Sequence, residues 1–160
     1  MNRAMLTVVA TTLLAAMGGV SAVPAADTAL TSAVGNWQTE PDDGAVGIVQ
    51  IGVDAAGTMQ GRIVGGNHPG LKDVNNTDPA ARTLALRGQV ILRDMKYAGG
   101  GHWSGGTIYR ASNGKIYKCN VTLGADGKLH VRGYIGFSLL GSTQEWTRYT
   151  GTSMDLPLAH

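Results

Sequence analysis

From His130 to Arg148 the chain reads HVRGYIGFSLLGSTQEWTR, and this stretch restricts the fold more than any other because it has the form of a closing hairpin. Leu129, Val131 and Ile135 alternate with His130, Arg132 and Tyr134, the period of two expected of a strand with one face in a core. Gly136 and Gly141 frame a connection. On the second arm Trp146 and Arg148 stand two apart and share a face, where a guanidinium can lie against an indole ring. Gly35-Asn36-Trp37, far upstream, offers the partner, since a barrel closes only when its first strand pairs with its last. Trp37, Trp146 and Arg148 are therefore expected at the closure, with Arg148 meeting Trp37 and Trp146 supporting the Arg stem.

The rest of the chain repeats the same grammar. Trp37 and Thr39 begin a first strand, Glu40 to Gly44 has turn composition, and Val46 to Val53 alternates before Asp54 to Gly57 turns into Met59, Gly61 and Ile63. Strand character resumes at Leu84 to Leu92 and again from His102 to Tyr109. Asn113-Gly114 and Asp126-Gly127 are tight-turn signals flanking an arm in which Tyr117, Cys119, Val121 and Leu123 share a face. Roughly eight short, mostly hairpin-linked strands predict an all-β chain, an antiparallel up-and-down barrel or a sandwich rather than an α/β fold. The 24 glycines suit its tight turns. The one long connection, Gly65 to Thr83, is polar and Gly-rich; within it Asp78-Pro79-Ala80-Ala81-Arg82 reads as an N-cap followed by a short helical turn.

The domain is expected to span 35–150, preceded by a flexible leader at 23–34 and followed by a tail at 151–160. Residues 1–22 read as a secretory signal: Arg3 is the basic start, Ala4 to Val20 is apolar or small, and Val20-Ser21-Ala22 suits a signal peptidase. The run is too interrupted for the roughly 20 apolar residues of a span, so no membrane span is expected after its removal and the location is periplasmic or secreted. The remaining chain holds 12 Lys and Arg against 11 Asp and Glu, without the basic clusters that nucleic acid requires. A lone Cys119 excludes an internal disulfide framework, and its alternation with Tyr117 and Val121 predicts an inward, unreactive thiol.

Several segments carry a family resemblance: Gly35-Asn36-Trp37-Gln38-Thr39, Gly61-Arg62-Ile63-Val64, Asp73-Val74-Asn75-Asn76-Thr77-Asp78-Pro79, Trp103 to Tyr109, Gly114-Lys115-Ile116-Tyr117 and Arg132 to Gly136, with Gly141 and Trp146-Thr147-Arg148. In order and spacing they resemble the bacterial exported family catalogued as domain of unknown function 2147. The resemblance implies a small, exported, mainly β protein and carries no activity with it. The early Trp and the late Trp-Thr-Arg also resemble lipocalins, which makes a lipocalin-like barrel the expected form. The chain departs from the first family's pattern at Ala111-Ser112, where Asp-Pro is usual, and at Leu84 to Leu86, where a Pro is usual.

Candidate chemistry is sparse. His68, His102, His130 and His160 have no metal-ligand spacing. Asp73, Asn75 and Asp78 form an oxygen-rich cluster, but Asp78 stands where a calcium loop needs Gly and Leu84 where it needs Glu. Asp73, Asn76, Asp78 and Arg82 are thus expected to cap and turn the long loop, with neither metal nor cofactor, and no catalytic residues can be paired. Arg110, beside a hairpin turn, is expected to be dispensable for stability. Trp103, Tyr109, Tyr117, Tyr134 and Phe137 are the candidate lining of a site for a small apolar or amphipathic ligand. The alternatives are an envelope protein that contacts its partner through the long loop around a filled core, and a metal-assisted enzyme built on Asp73, Asp78 and a His.

Overall fold

The computed structural model describes residues 25–158, so the signal segment expected at 1–22 lies outside the described residues. Eight strands close into an antiparallel barrel in sequence order: β1 (Gly35–Gln38), β2 (Gly47–Val53), β3 (Met59–Gly66), β4 (Val90–Gly99), β5 (His102–Arg110), β6 (Lys115–Leu123), β7 (Leu129–Tyr134) and β8 (Gly141–Arg148). Closure leaves the sheet no free edge. Strand direction alternates, so the turns at 54–58, 100–101 and 124–128 gather at a lower end, and the connections 39–46, 67–89, 111–114 and 135–140 at an upper end. No described helix is long and apolar enough to cross a membrane.

The alternation delivers large side chains to the lower half of the interior. Trp37, Met59, Met95, Trp103, Val121 and Leu129 are buried there in one cluster, and the Tyr97 ring tilts against Trp103 at 5.0 Å between centroids. Cys119 joins the same core, fully buried. Burial pushes its thiol up to about 12.

Closure rests on few backbone bonds, because β1 pairs with β8 only through Trp37↔Arg148 and Gln38↔Thr147. The Tyr149 N–H adds a bond to the Asn36 carbonyl at 2.9 Å, and side chains supply the remainder. The Arg148 guanidinium lies 4.0 Å from the centroid of the Trp37 ring and donates to the carbonyls of Val34 (2.8 Å) and Ser32. The Trp37 indole N–H donates to the Ala33 carbonyl at 2.9 Å. Trp146 is buried inside the barrel, its indole N–H held by the Gln144 side-chain carbonyl at 3.0 Å.

Those carbonyls end a helix. Residues read above as a flexible leader form α1 (Ala25–Ala33), in which four Ala and a Leu favour helix while its short length leaves it dependent on packing. Ala33 is fully buried and Leu30 packs against the core, which ties the helix to the lower end. Gly35, with φ +129°, makes the turn into β1; a Cβ there would stand 2.7 Å from Arg148 Nη1.

Three other expectations need correction. β4 starts at Val90 rather than Leu84, because the backbone of 84–89 bonds elsewhere: Leu84 accepts from Asp73, Leu86 donates to Leu71 and Gly88 donates to Ile63. Ile135 is 66% exposed; β7 stops one residue earlier and Gly133 takes the inward position opposite Cys119. The Asn113-Gly114 turn spans four residues, 111–114, with Gly114 alone at positive φ (69°), which excludes a two-residue type I′ hairpin.

Arg148→Lys keeps the charge but loses the planar stack and the fork of donors. We expect it to cost about 1 kcal/mol and Arg148→Ala roughly 2 kcal/mol in chemical denaturation; a Lys variant as stable as the parent would show that the guanidinium contributes nothing beyond its charge. Thiol titration should find Cys119 unreactive in the native protein and fully reactive after denaturation. Fast native labelling would mean that β6 has the opposite phase.

Candidate functional site

The upper half of the barrel is hollow. A cavity of about 240 Å³ opens toward the upper end, walled by Val49, Ile63, Ile91, Ile108 and Val131. Trp146, level with Leu129 at the base of β7, bounds it from below. Its emptiness has a sequence cause. Gly133 and Ser142 are paired across β7 and β8, and both line the cavity where larger side chains would fill it. Tyr109, Tyr117 and Gln144 add polar groups to the apolar wall.

Asp42, Asn67, His68, Arg87 and Arg110 ring the mouth. Arg110 grips Asp42 with two bonds, Nε to Oδ2 at 3.0 Å and Nη2 to Oδ1 at 2.5 Å, and the Ser112 hydroxyl adds a third at 2.8 Å. This joins the β5–β6 hairpin to the β1–β2 connection. The Arg110 guanidinium holds the Asp42 carboxyl below the usual carboxylate range, and Asp42 raises Arg110 in turn. Arg110 is therefore not the idle hairpin residue expected above, although a pair this exposed is worth about 1 kcal/mol at most. Asn67, buried, accepts from Val46 N–H at 2.8 Å and donates to the Gly44 carbonyl at 3.0 Å, which anchors the same connection to the end of β3. Arg87 donates to the Val64 carbonyl at 2.7 Å and pairs with Asp155 at 3.0 Å. The C-terminal segment is held there too, bonded on both sides of Gly66 through Met154 and Leu156.

The long connection is organised by Asp73, which is fully buried. Its carboxylate accepts from the Tyr109 hydroxyl at 2.6 Å and from Asn76 Nδ2 at 2.7 Å. Burial first, and then the Asp73 carboxylate, push the Tyr109 phenol up to about 12. Asp78 caps the 3-10 turn Pro79–Thr83 by accepting from Ala80 N–H at 2.9 Å, while Arg82 donates to the Asn76 carbonyl at 2.8 Å. Asn75 then clips the loop to the β5–β6 hairpin through the carbonyls of Ala111 and Ser112. The approach is close: a Cβ on Gly114 would lie 1.8 Å from the Asn75 carbonyl oxygen. All four residues of the expected loop cluster thus take part in capping and turning. Among the described residues no three His, Cys, Asp or Glu side chains gather as a metal set.

Of the five residues put forward as a ligand lining, Tyr109 and Tyr117 line the cavity. Trp103 belongs to the filled lower core. Tyr134 pairs with Lys118, on the outer phase of its strand, and Phe137 is 79% exposed beyond the end of β7. Gln144 and Ser142 went unnoticed, although the step of two back from Trp146 along β8 points to both. Arg87 and Asp42 come from irregular connections and had no periodic signal.

The family model described as "Uncharacterized protein conserved in bacteria (DUF2147)" matches residues 35–148. The chain belongs to that family. Among solved structures the fold is similar to the one titled "Protein HP1028 from the human pathogen Helicobacter pylori belongs to the lipocalin family", with a TM-score of 0.66, 23% identity, and coverage of 73% of this chain and 82% of that one. Likeness at that identity concerns the fold, which is a lipocalin-like barrel. No curated protein matches the chain.

Asp73→Ala would strip two part-buried donors of their acceptor and should cost about 1–3 kcal/mol. Tyr109→Phe, which removes one donor and leaves the other bond, should cost less. Addition of Ca²⁺ or of chelator should leave the melting temperature of the parent unchanged; a large rise with Ca²⁺ would overturn the capping role, because a bound ion stabilises by mass action.

Proposed function

We propose that this protein is an exported, non-enzymatic barrel that takes a small apolar or amphipathic molecule into the upper half of its interior. The observation that carries this reading is the cavity of about 240 Å³ between largely apolar walls, with a few polar groups on the wall and charged ones at the mouth. A filled barrel would leave no such space. The volume falls slightly below the roughly 300–1,000 Å³ of pockets for drug-sized ligands, so the occupant is a small molecule or one end of a longer one. Its apolar part would lie against Val49, Ile63, Ile108 and Val131, and its polar part would meet Tyr117, Gln144 and the charged rim. Export rests on the basic start and apolar run of residues 1–22.

A cavity-filling variant provides the test. Gly133 has an ordinary backbone conformation, and a Cβ placed on it would meet Ile108 and Tyr117 at 3.4 and 3.6 Å, so Gly133→Leu projects into the cavity. Mass spectrometry of the parent purified from its native envelope should find a co-purifying small molecule that the folded Gly133→Leu protein has lost. Equal amounts in both proteins, or none in either, would sink the proposal.

A further inference from the structure

All six residues of the β7–β8 connection, 135–140, are exposed. Four are large and apolar: Ile135 at 66%, Phe137 at 79%, Leu139 at 89% and Leu140 at 77%. Of the large exposed hydrophobics elsewhere among the described residues, Leu71, Val74 and Leu84 share the long connection and Val34 and Leu158 stand singly; none of these makes so continuous a run. Lys118 pairs with Tyr134, so Ile116 and Lys115, farther toward the upper end of β6, stand level with this connection. Ile116 is 67% exposed and extends the apolar surface.

Part of the backbone of this tip is bonded from within the protein. Leu140 N–H donates to the Phe137 carbonyl at 3.0 Å. Arg132 reaches up from β7, donating to the carbonyls of Ser138 (2.6 Å) and Leu139 (3.2 Å) and to the Thr143 hydroxyl (2.9 Å). With the carbonyls of Phe137, Ser138 and Leu139 occupied, the stretch that carries the most exposed apolar side chains is the part best suited to leave water, because a medium without hydrogen-bond partners penalises free backbone groups.

Charge then selects the medium. Lys115, Lys118 and Arg132 flank the tip, and among the described residues no salt bridge engages either lysine. The acidic groups of β6 to β8, Asp126 and Glu145, lie toward the lower end beside His130 and Lys128. Asp42, the acidic residue at the neighbouring hairpin, is held by Arg110. The tip is basic and apolar, so two copies meeting tip to tip would oppose like charges.

We propose that the 135–140 tip docks on an anionic lipid surface, with Phe137, Leu139 and Leu140 entering the boundary between head groups and acyl chains and Lys115 and Lys118 facing the phosphates. This surface is separate from the cavity, and neither proposal depends on the other.

The buried thiol of Cys119 allows selective labelling. Leu139→Cys carries a polarity-sensitive dye at the tip, and Ala56→Cys carries the same dye in the exposed β2–β3 turn at the lower end. Both are made in the full chain, so the apolar residues before 25 act equally on the two. With vesicles of equal parts phosphatidylglycerol and phosphatidylcholine, the tip dye should shift to the blue and the lower-end dye should not. Vesicles of phosphatidylcholine alone should give a much weaker response. Adding Lys115→Gln and Lys118→Gln to the tip-labelled protein should weaken partitioning roughly tenfold or more at low salt. The proposal fails if the tip dye does not respond, if both positions respond alike, or if the tip dye shifts with protein concentration in the absence of lipid, as self-association would produce.

Discussion

The barrel depends on a small polar knot at its thinnest seam. Two Cα pairs between β1 and β8 are too few to hold a sheet closed, and the deficit is met where Arg148 and Trp37 converge on the end of α1. Ser32, Ala33 and Val34 present successive carbonyls there, of the kind a helix terminus leaves without intrahelical partners. Arg148 takes the first and third and Trp37 the second. One guanidinium therefore caps a helix, covers an indole and joins the first strand to the last. The positive charge also lies at the negative end of the helix dipole. A lysine would keep the charge and some donors but not the planar stack or the fork that reaches two carbonyls at once.

Below and above this level the interior is set by the size of inward residues. Tryptophan and methionine occupy inward positions near the lower turns and fill the space, whereas Gly133 and Ser142 occupy two adjacent inward positions of β7 and β8 higher up. Barrels of eight strands have an interior just wide enough for side chains to fill. This pair of small residues leaves room for the cavity of about 240 Å³. The hollow is bounded below by Trp146, whose orientation is fixed by Gln144, so the residue that shuts the cavity also belongs to the packed core.

Much of this was legible in the sequence, for a physical reason. Alternation over hairpin-linked arms encodes which side chains face inward, and it located Cys119 and the strand pairing at Trp37 and Arg148 without error. It located the cavity poorly. Tyr134 was proposed as lining although its own strand places it outward, and Phe137 was proposed although it lies past the last inward residue of β7. The helix at 25–33 escaped notice because its apolar face is short, and what holds it is a tertiary contact with Arg148, more than a hundred residues away. Asp73 was read as a turn residue, but nothing local announces that its carboxylate is buried under Tyr109.

The two ends of the barrel differ in what holds them. The lower end is fastened by packing: α1 lies against a core of indoles and thioethers, and opening it would expose large apolar surface. The upper end is fastened by polar clips between connections, namely Arg110 to Asp42, Asn67 to Gly44 and Val46, Asn75 to the β5–β6 hairpin, and Arg87 to Asp155. The two ion pairs among them are exposed, individually weak and screened by salt, so local opening belongs to this end. The Asp42 carboxyl is held below its ordinary range, and a depressed carboxylate contributes above its unfolded value and is lost only as pH falls through the folded one. The Arg110 clip thus stays engaged at neutral pH. Local opening at this end parts contacts that water can replace and leaves the packed half undisturbed.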